Sequence, residues 1–104
     1  MAHWYTERGY VLVDRNWRVR EGEIDLVLRR GPTIVCCEVK TRRGDAFGSP
    51  FEAVTVTKQR RLRTLALRWR AEHDVRAAEM RFDVAAVRIA HDGHVEIEVR
   101  AGAF

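Results

Sequence analysis

The residues best suited to chemistry are two short charged pairs on either side of a turn. Glu23 and Asp25 lie two residues apart in one alternating segment, and Glu38 and Lys40 lie two residues apart in the next. Side chains two residues apart in a strand project from the same face of a sheet. Carboxylates beside an ammonium group can bind a hard divalent cation and hold a phosphodiester against it.

The register between the two segments decides whether these pairs meet. The intervening Arg30–Thr33 contains Gly and Pro, and the proline disfavours a tight two-residue turn, so we predict a four-residue loop. In that register Asp25 faces Glu38, and Glu23 faces Lys40, with facing Cβ atoms about 5 Å apart. The sequence therefore predicts two carboxylates and a lysine on one surface.

Two carboxylates in this position need compensation, because like charges directly opposed destabilise a sheet. Asp25, Glu38 and the backbone carbonyl of Val39 are the predicted ligands of Mg²⁺ or Mn²⁺, with Glu23 as a further ligand or a group beside them. The cation would lower the pKa of a bound water, which Lys40 could orient or deprotonate. In the alternative, Glu23 and Lys40 form an exposed salt bridge while Asp25 opens the strand. The spacing alone leaves both open.

Three alternating segments must position these groups. They are predicted as sequential antiparallel strands over Gly9–Asp14, Glu23–Arg29 and Thr33–Thr41. Strict alternation in the second segment places Ile24, Leu26 and Leu28 together on one face.

A helix and two more strands are expected to complete the domain. Ser49 and Pro50 predict a helix start, with Glu52 closing a capping box. The β-branched run Val54–Thr57 is expected to divide this segment into two helices, with Thr57 capping the second. A helical apolar stripe is formed by Leu62, Leu65, Ala66 and Trp69. Phe82–Ile89 is predicted as a buried strand reached by a crossover, and Val95–Val99 as a half-exposed last strand. This order predicts an α/β fold on a mixed sheet.

The basic residues suggest a phosphate-rich partner. Nineteen Lys and Arg exceed fifteen Asp and Glu, and all but Lys40 and Lys58 are arginine, which suits bidentate contact with phosphate. A GC-rich genome would also inflate arginine, so most arginines carry little information. The expected nucleic-acid contacts are those nearest the charged pairs: Arg42, Arg43, Lys58 and Arg61.

Length and composition limit the class of protein. We expect residues 1–104 to form a single domain, since 104 residues fit one hydrophobic core. No apolar run approaches the ~20 residues of a membrane span, and no secretory pattern opens the chain, so a cytoplasmic location is expected. The adjacent Cys36 and Cys37 favour neither a zinc site nor a disulfide. A surface this small makes a homodimer a further expectation.

Beyond these general features, the two charged segments resemble a known motif. Gly22–Val27 followed by Cys37–Arg42 is similar to the D…E-x-K core of the PD-(D/E)xK nuclease superfamily, and more narrowly to the uncharacterised YraN-like family of endonuclease-fold proteins. The resemblance continues through Arg8–Tyr10, Asn16–Arg18, Phe47–Pro50, Glu52–Val54, Lys58, Arg61–Leu62 and Phe82–Val84.

The resemblance implies a restriction-endonuclease-like α-β-β-β-α-β core with a mixed sheet flanked by helices. It implies Mg²⁺ or Mn²⁺, hydrolysis of nucleic-acid phosphodiesters, most simply DNA, and catalytic roles for Asp25, Glu38 and Lys40. A non-catalytic nucleic-acid-binding or interaction protein that retains the nuclease fold is the alternative. The family carries an acidic residue on an N-terminal helix, of which Ala2–Tyr5 resembles only the last turns. For Asp83, which matches the family pattern, we expect a buried structural carboxylate or one supporting the ligands, with direct binding of the metal as a further alternative.

Overall fold

A five-stranded mixed sheet with helices on both faces forms the domain. The computed structural model describes residues 1–44 and 49–104. In chain order the elements are α1 (Ala2–Thr6), β1 (Val11–Val19), β2 (Gly22–Arg30), β3 (Thr33–Arg43), a 3-10 helix (Pro50–Ala53), α2 (Val56–Glu72), β4 (Glu79–Ile89) and β5 (Val95–Arg100). Phe47 and Gly48, which belong to the family pattern, lie outside the described residues.

The sheet order is β1-β2-β3-β4-β5. The first three strands form an antiparallel meander, β4 returns parallel to β3 through the α2 crossover, and β5 pairs antiparallel with β4. This arrangement confirms the predicted α-β-β-β-α-β order and the mixed sheet. Within the described residues, no helix is long and apolar enough to cross a membrane.

The segment before α2 is divided as expected, but the capping residue differs from the prediction. Ser49 accepts a hydrogen bond from the Phe51 N–H, and Pro50–Ala53 forms only a 3-10 helix. Thr55, not Thr57, caps α2, because Thr55 has the extended backbone of a cap and its Oγ1 accepts from the Lys58 N–H at 3.3 Å. The apolar stripe of α2 is buried as predicted: Leu62, Leu65, Ala66 and Trp69.

Two apolar cores lie against the sheet, one on each face. The α2-side core contains the buried stripe of α2 together with Ile24, Val27, Ile34, Cys36, Phe82 and Val84. The α1-side core contains Tyr5, Tyr10, Leu26, Leu28, Val35, Cys37 and Ala85. Both cysteines are buried and unpaired, as the sequence predicts. The sheet is therefore covered on both sides in its middle strands.

The alternation of β2 changes face at Asp25, which corrects the prediction for this strand. Ile24 lies in the α2-side core, whereas Leu26 and Leu28 lie in the α1-side core. Strict alternation would put all three on one face. Asn16 lies across from Asp25 in the β1–β2 register, and its φ of 49° is left-handed. A non-glycine residue in this region interrupts a regular strand, so the sheet is irregular where Asp25 lies.

A buried polar network joins α1 and the C-terminal residues to the sheet. Asp83, 1% exposed, accepts from the Tyr5 hydroxyl at 2.8 Å and from the Gly102 N–H at 3.0 Å. The Arg81 guanidinium donates to both Asp83 oxygens and to the Tyr10 hydroxyl. Of the three roles expected for Asp83, these contacts correspond to the buried structural carboxylate.

Candidate metal site and its lysines

The side chain of Asp25 in β2 takes the place of a backbone acceptor for β3. The predicted register holds from Arg30–Thr33 to Leu26–Cys37, where the backbone pairing of the two strands ends. Asp25 Oδ2 then accepts from the Val39 N–H at 2.8 Å, in place of a backbone carbonyl. The carboxylate is thus fixed beside β3, and the strands part at this point.

Glu38 is held by two lysines from different elements. Its side chain is only 8% exposed, and its Oε1 lies 3.2 Å from Lys40 Nζ and 2.8 Å from Lys58 Nζ. Lys40 lies two residues along the same strand, whereas Lys58 comes from the first turn of α2. A nearly buried carboxylate needs such partners, because removing an unpaired charge from water costs several kcal/mol.

Glu23 has a different partner from the one its register suggested. Its Oε2 accepts from Arg18 Nε at 2.8 Å, across the β1–β2 pair. Lys40 is engaged with Glu38 instead. The salt bridge between Glu23 and Lys40 in the alternative interpretation is therefore not formed, and Asp25 lies inside β2 rather than at its start.

Burial and neighbouring charges shift the pKa values of Asp25 and of the two lysines. Burial, together with the negative charges of Glu38 and Glu23, raises the pKa of Asp25, although the Val39 N–H and Lys40 act in the opposite direction. The contact with Lys58, together with burial, lowers the pKa of Lys40. Burial acts against the charged form of Lys58, but the contact with Glu38 raises its pKa overall. The charged form of Asp25 is therefore less favoured in the protein than in water.

The oxygen donors suit a hard divalent cation. The N–H and C=O of one strand residue point to the same side, so the Val39 carbonyl lies on the side of its N–H, toward Asp25. The contacts above use Asp25 Oδ2 and Glu38 Oε1, so each carboxylate has a second oxygen for coordination. Among residues 1–44 and 49–104, no three His, Cys, Asp or Glu side chains form a group that could hold a metal. A cation here would use two carboxylates, one carbonyl and waters.

Asp25 lines a cavity on each side of the sheet. The smaller, of about 240 Å³, is also lined by Glu23, Glu38, Lys58 and Arg61. The larger, of about 500 Å³, is lined by Asp25 with residues that include His3, Arg15, Asn16 and Val39. Two of the predicted nucleic-acid contacts, Lys58 and Arg61, therefore lie around the same cavity as the carboxylates.

The two arginines at the end of β3 separate. Alternation along β3 places Arg42 on the face that carries Glu38 and Lys40, and Arg43 on the opposite face. In the parallel ladder Arg42 lies beside Arg88 of β4. The structure therefore aligns Arg42, but not Arg43, with the candidate site.

A close approach of α2 to β2 brings its basic residues over the site. A Cβ at Gly22 would lie 3.1 Å from Leu65 Cδ1 and 3.6 Å from Arg61 Cδ. That separation is tight for any side chain, so glycine permits the helix to pack here. A larger residue would require the side chains of Leu65 and Arg61 to shift.

Two features of the site were not identified from the sequence. The first is Asn16, whose left-handed backbone lies across from Asp25; asparagine is one of the few residues that adopt this conformation readily, which is the available sequence signal. The second is the direct contact of Lys58 with Glu38. Lys58 and Glu38 are twenty positions apart in the chain, so no local sequence pattern predicts that they touch.

The fold and site together define a small α/β protein whose sheet carries an acidic pair bounded by lysines. Residues 1–87 match the model of the Uncharacterised protein family UPF0102, and the chain belongs to this family. A UPF0102 protein of Rhodococcus opacus is 48% identical over 103 residues, which cover 99% of this chain and 87% of that protein. A UPF0102 protein of Frankia alni is 53% identical over 96 residues, covering 92% and 80% respectively. One from Beutenbergia cavernae is 53% identical over 97 residues, covering 93% and 82%.

Proposed function

We propose that this protein is a metal-dependent nuclease of the PD-(D/E)xK type, which binds nucleic acid and hydrolyses its phosphodiesters. The observation that carries the proposal is the convergence of Asp25, Glu38 and Lys40 where β2 and β3 part. The order and spacing of these three residues resemble the nuclease motif, and the strand order is compatible with it. DNA as substrate, a cytoplasmic location and a homodimer belong to the same proposal.

Each residue has a distinct task in this proposal. Asp25, Glu38 and the Val39 carbonyl would hold Mg²⁺ or Mn²⁺, which supplies Lewis-acid stabilisation of charge on phosphate and a more acidic water. The Val39 N–H keeps the Asp25 carboxylate in one orientation. Lys40, one-fifth exposed, can contact the attacking water and a phosphate oxygen from the same face.

The basic residues around the carboxylates would position the nucleic-acid backbone. Arg61 lines the same cavity as Glu38, and Arg42 lies further along the strand beside Arg88. A guanidinium group suits bidentate contact with a phosphate. The backbone would therefore run from the start of α2 along β3 toward Arg42.

A cleavage assay tests the proposal. Duplex, branched and single-stranded DNA would be incubated with Mg²⁺ or Mn²⁺ and the wild type, Asp25→Asn or Glu38→Gln. We expect cation-dependent cleavage by the wild type, reduced about 100-fold or more in both variants. Glu72→Gln is the matched control, since Glu72 ends α2 about 20 Å along the helix from Lys58 and pairs with Arg68. Cleavage that survives in EDTA, or in Asp25→Asn, would contradict the proposed site.

One observation favours a second function, the non-catalytic nucleic-acid-binding module. Glu38 is already neutralised by two lysines of its own chain, so the fold does not need a cation at that carboxylate. A binding module would retain duplex in Mg²⁺ without cleaving it. Its affinity would still fall with salt, with a log–log slope of about 0.9 for each phosphate neutralised.

A further inference from the structure

Lys58 occupies an unusual place for a positive charge. It lies in the first turn of the 17-residue helix α2, where the helix dipole favours negative side chains. Its backbone N–H is bound by the Thr55 cap, and its ammonium group reaches Glu38 Oε1 at 2.8 Å. An anion near this ammonium group offsets the unfavourable helix dipole, and in the described structure that anion is Glu38.

A divalent cation would compete with Lys58 for the same carboxylate. Glu38 Oε1 already faces two ammonium groups, so a cation at this carboxylate adds like charge within a few ångströms of both. Lys40 is fixed two residues away on the same strand and is 20% exposed. Lys58 comes from the opposing helix and is 32% exposed, so it can leave toward solvent without moving the sheet.

We propose that Lys58 is the counter-ion of Glu38 while no divalent cation is bound, and that cation binding releases it to contact a nucleic-acid phosphate. This inference rests on the proposed function. Once displaced, Lys58 remains at the N-terminus of α2, where helix N–H groups also attract a phosphate, and beside Arg61 in the same cavity. Cation binding thus creates a phosphate contact that the cation-free protein lacks.

Such a contact couples the two ligands. Because binding coupling is reciprocal, a phosphate that holds Lys58 leaves Glu38 available and strengthens cation binding by the same factor. Arg61 differs, since it lines the cavity without a described contact to Glu38 and would serve phosphate with or without the cation. The contrast between Lys58 and Arg61 makes the proposal measurable.

The first test is Mn²⁺ affinity by calorimetry, with no nucleic acid present. Lys58→Met removes the competitor, so we expect Mn²⁺ to bind about threefold to tenfold more tightly than to the wild type. Arg60→Met, an exposed neighbour on the same helix, controls for the loss of one positive charge. Equal or weaker binding by Lys58→Met would overturn the inference while leaving the metal site intact. Failure of every form to bind Mn²⁺ would remove the metal site as well.

The second test is duplex binding by fluorescence anisotropy in Mn²⁺ and in EDTA, with the duplex checked for integrity after each titration. Lys58→Met should lower affinity several-fold in Mn²⁺ and leave it unchanged in EDTA. Arg61→Met should lower affinity by a similar factor under both conditions. If Lys58→Met lowers duplex affinity by the same factor in Mn²⁺ and in EDTA, Lys58 contacts phosphate independently of the cation and the inference is wrong. Thermal unfolding of each variant verifies that the fold is retained.

Discussion

Asp83 and Asp25 are both withdrawn from water in the same sheet, but their surroundings differ. Asp83 receives hydrogen bonds from a tyrosine, an arginine and a backbone N–H, so its charge is fully compensated within the chain. Asp25 receives the Val39 N–H and lies near Glu38 and Glu23, which, with burial, raise its pKa. A compensated buried carboxylate fixes structure. A carboxylate whose charged form is disfavoured by burial and by nearby carboxylates would gain from a bound cation.

The same contrast applies to the lysines and arginines. Arg81 forms a two-pronged pair with Asp83, and that contact raises the pKa of Arg81. Lys40 and Lys58 share a single oxygen of Glu38, and their contact with each other lowers the pKa of Lys40. The first arrangement binds α1 and the C-terminal residues to the sheet, whereas the second can be rearranged by a ligand.

The largest expected effect is on stability at Asp83. Asp83→Ala leaves the Arg81 guanidinium and the Tyr5 hydroxyl without their buried acceptor, so we expect the free energy of unfolding to fall by about 3–5 kcal/mol. Urea denaturation followed by circular dichroism measures it. Asp83→Asn, which keeps an acceptor, should cost less. A loss below about 1 kcal/mol for Asp83→Ala would show that the network is not structural.

A smaller effect is expected from Tyr5→Phe. Burial, with Cys37 and Asp83 nearby, raises the pKa of Tyr5, so its hydroxyl stays protonated and donates to Asp83. Removing that one donor leaves Arg81 and Gly102 in place, and we expect a loss of about 1–2 kcal/mol by the same denaturation. Tyr10→Phe is a comparison variant whose hydroxyl contacts Arg81 rather than the carboxylate. Unchanged stability in Tyr5→Phe would contradict its role in the network.

The smallest stability effect is expected at Asp25. Asp25→Asn keeps an oxygen that can accept from the Val39 N–H and removes repulsion with Glu38 and Glu23. We expect the free energy of unfolding to change by less than about 1 kcal/mol, with an increase the favoured direction. A loss of unfolding free energy comparable to that of Asp83→Ala would mean that Asp25 is also structural. The two carboxylates would then not differ in the way proposed.

Much of the fold was predictable because short-range patterns determine it. The alternation of β3, the turn at Arg30–Thr33 and the apolar stripe of α2 gave the strand order and the β2–β3 register as far as Leu26 and Cys37. The choice of Thr57 rather than Thr55 as the α2 cap was wrong because both positions carry threonine, which suits a cap, and only the backbone geometry distinguishes them.

The site was predictable in its members but not in its geometry. Spacing in β2 and β3 brought Asp25 and Glu38 together, yet alternation could not anticipate that Asn16 and Asp25 would interrupt the sheet. The change of face requires a left-handed residue on one strand and a side-chain acceptor on the next, a combination set by tertiary packing. The reach of Lys58 to Glu38 likewise depends on how α2 crosses the sheet.

The measurement that tests the central claim most directly is Mn²⁺ binding by calorimetry to the wild type, Asp25→Asn and Asp83→Asn, each verified as folded. Asp25 lies near two other carboxylates, whereas Asp83 is paired with Arg81, so the two variants remove the same charge from different surroundings. We predict one Mn²⁺ per chain for the wild type, a loss of affinity of at least about tenfold in Asp25→Asn and retained binding in Asp83→Asn. Equal Mn²⁺ binding by the wild type and Asp25→Asn would contradict the account.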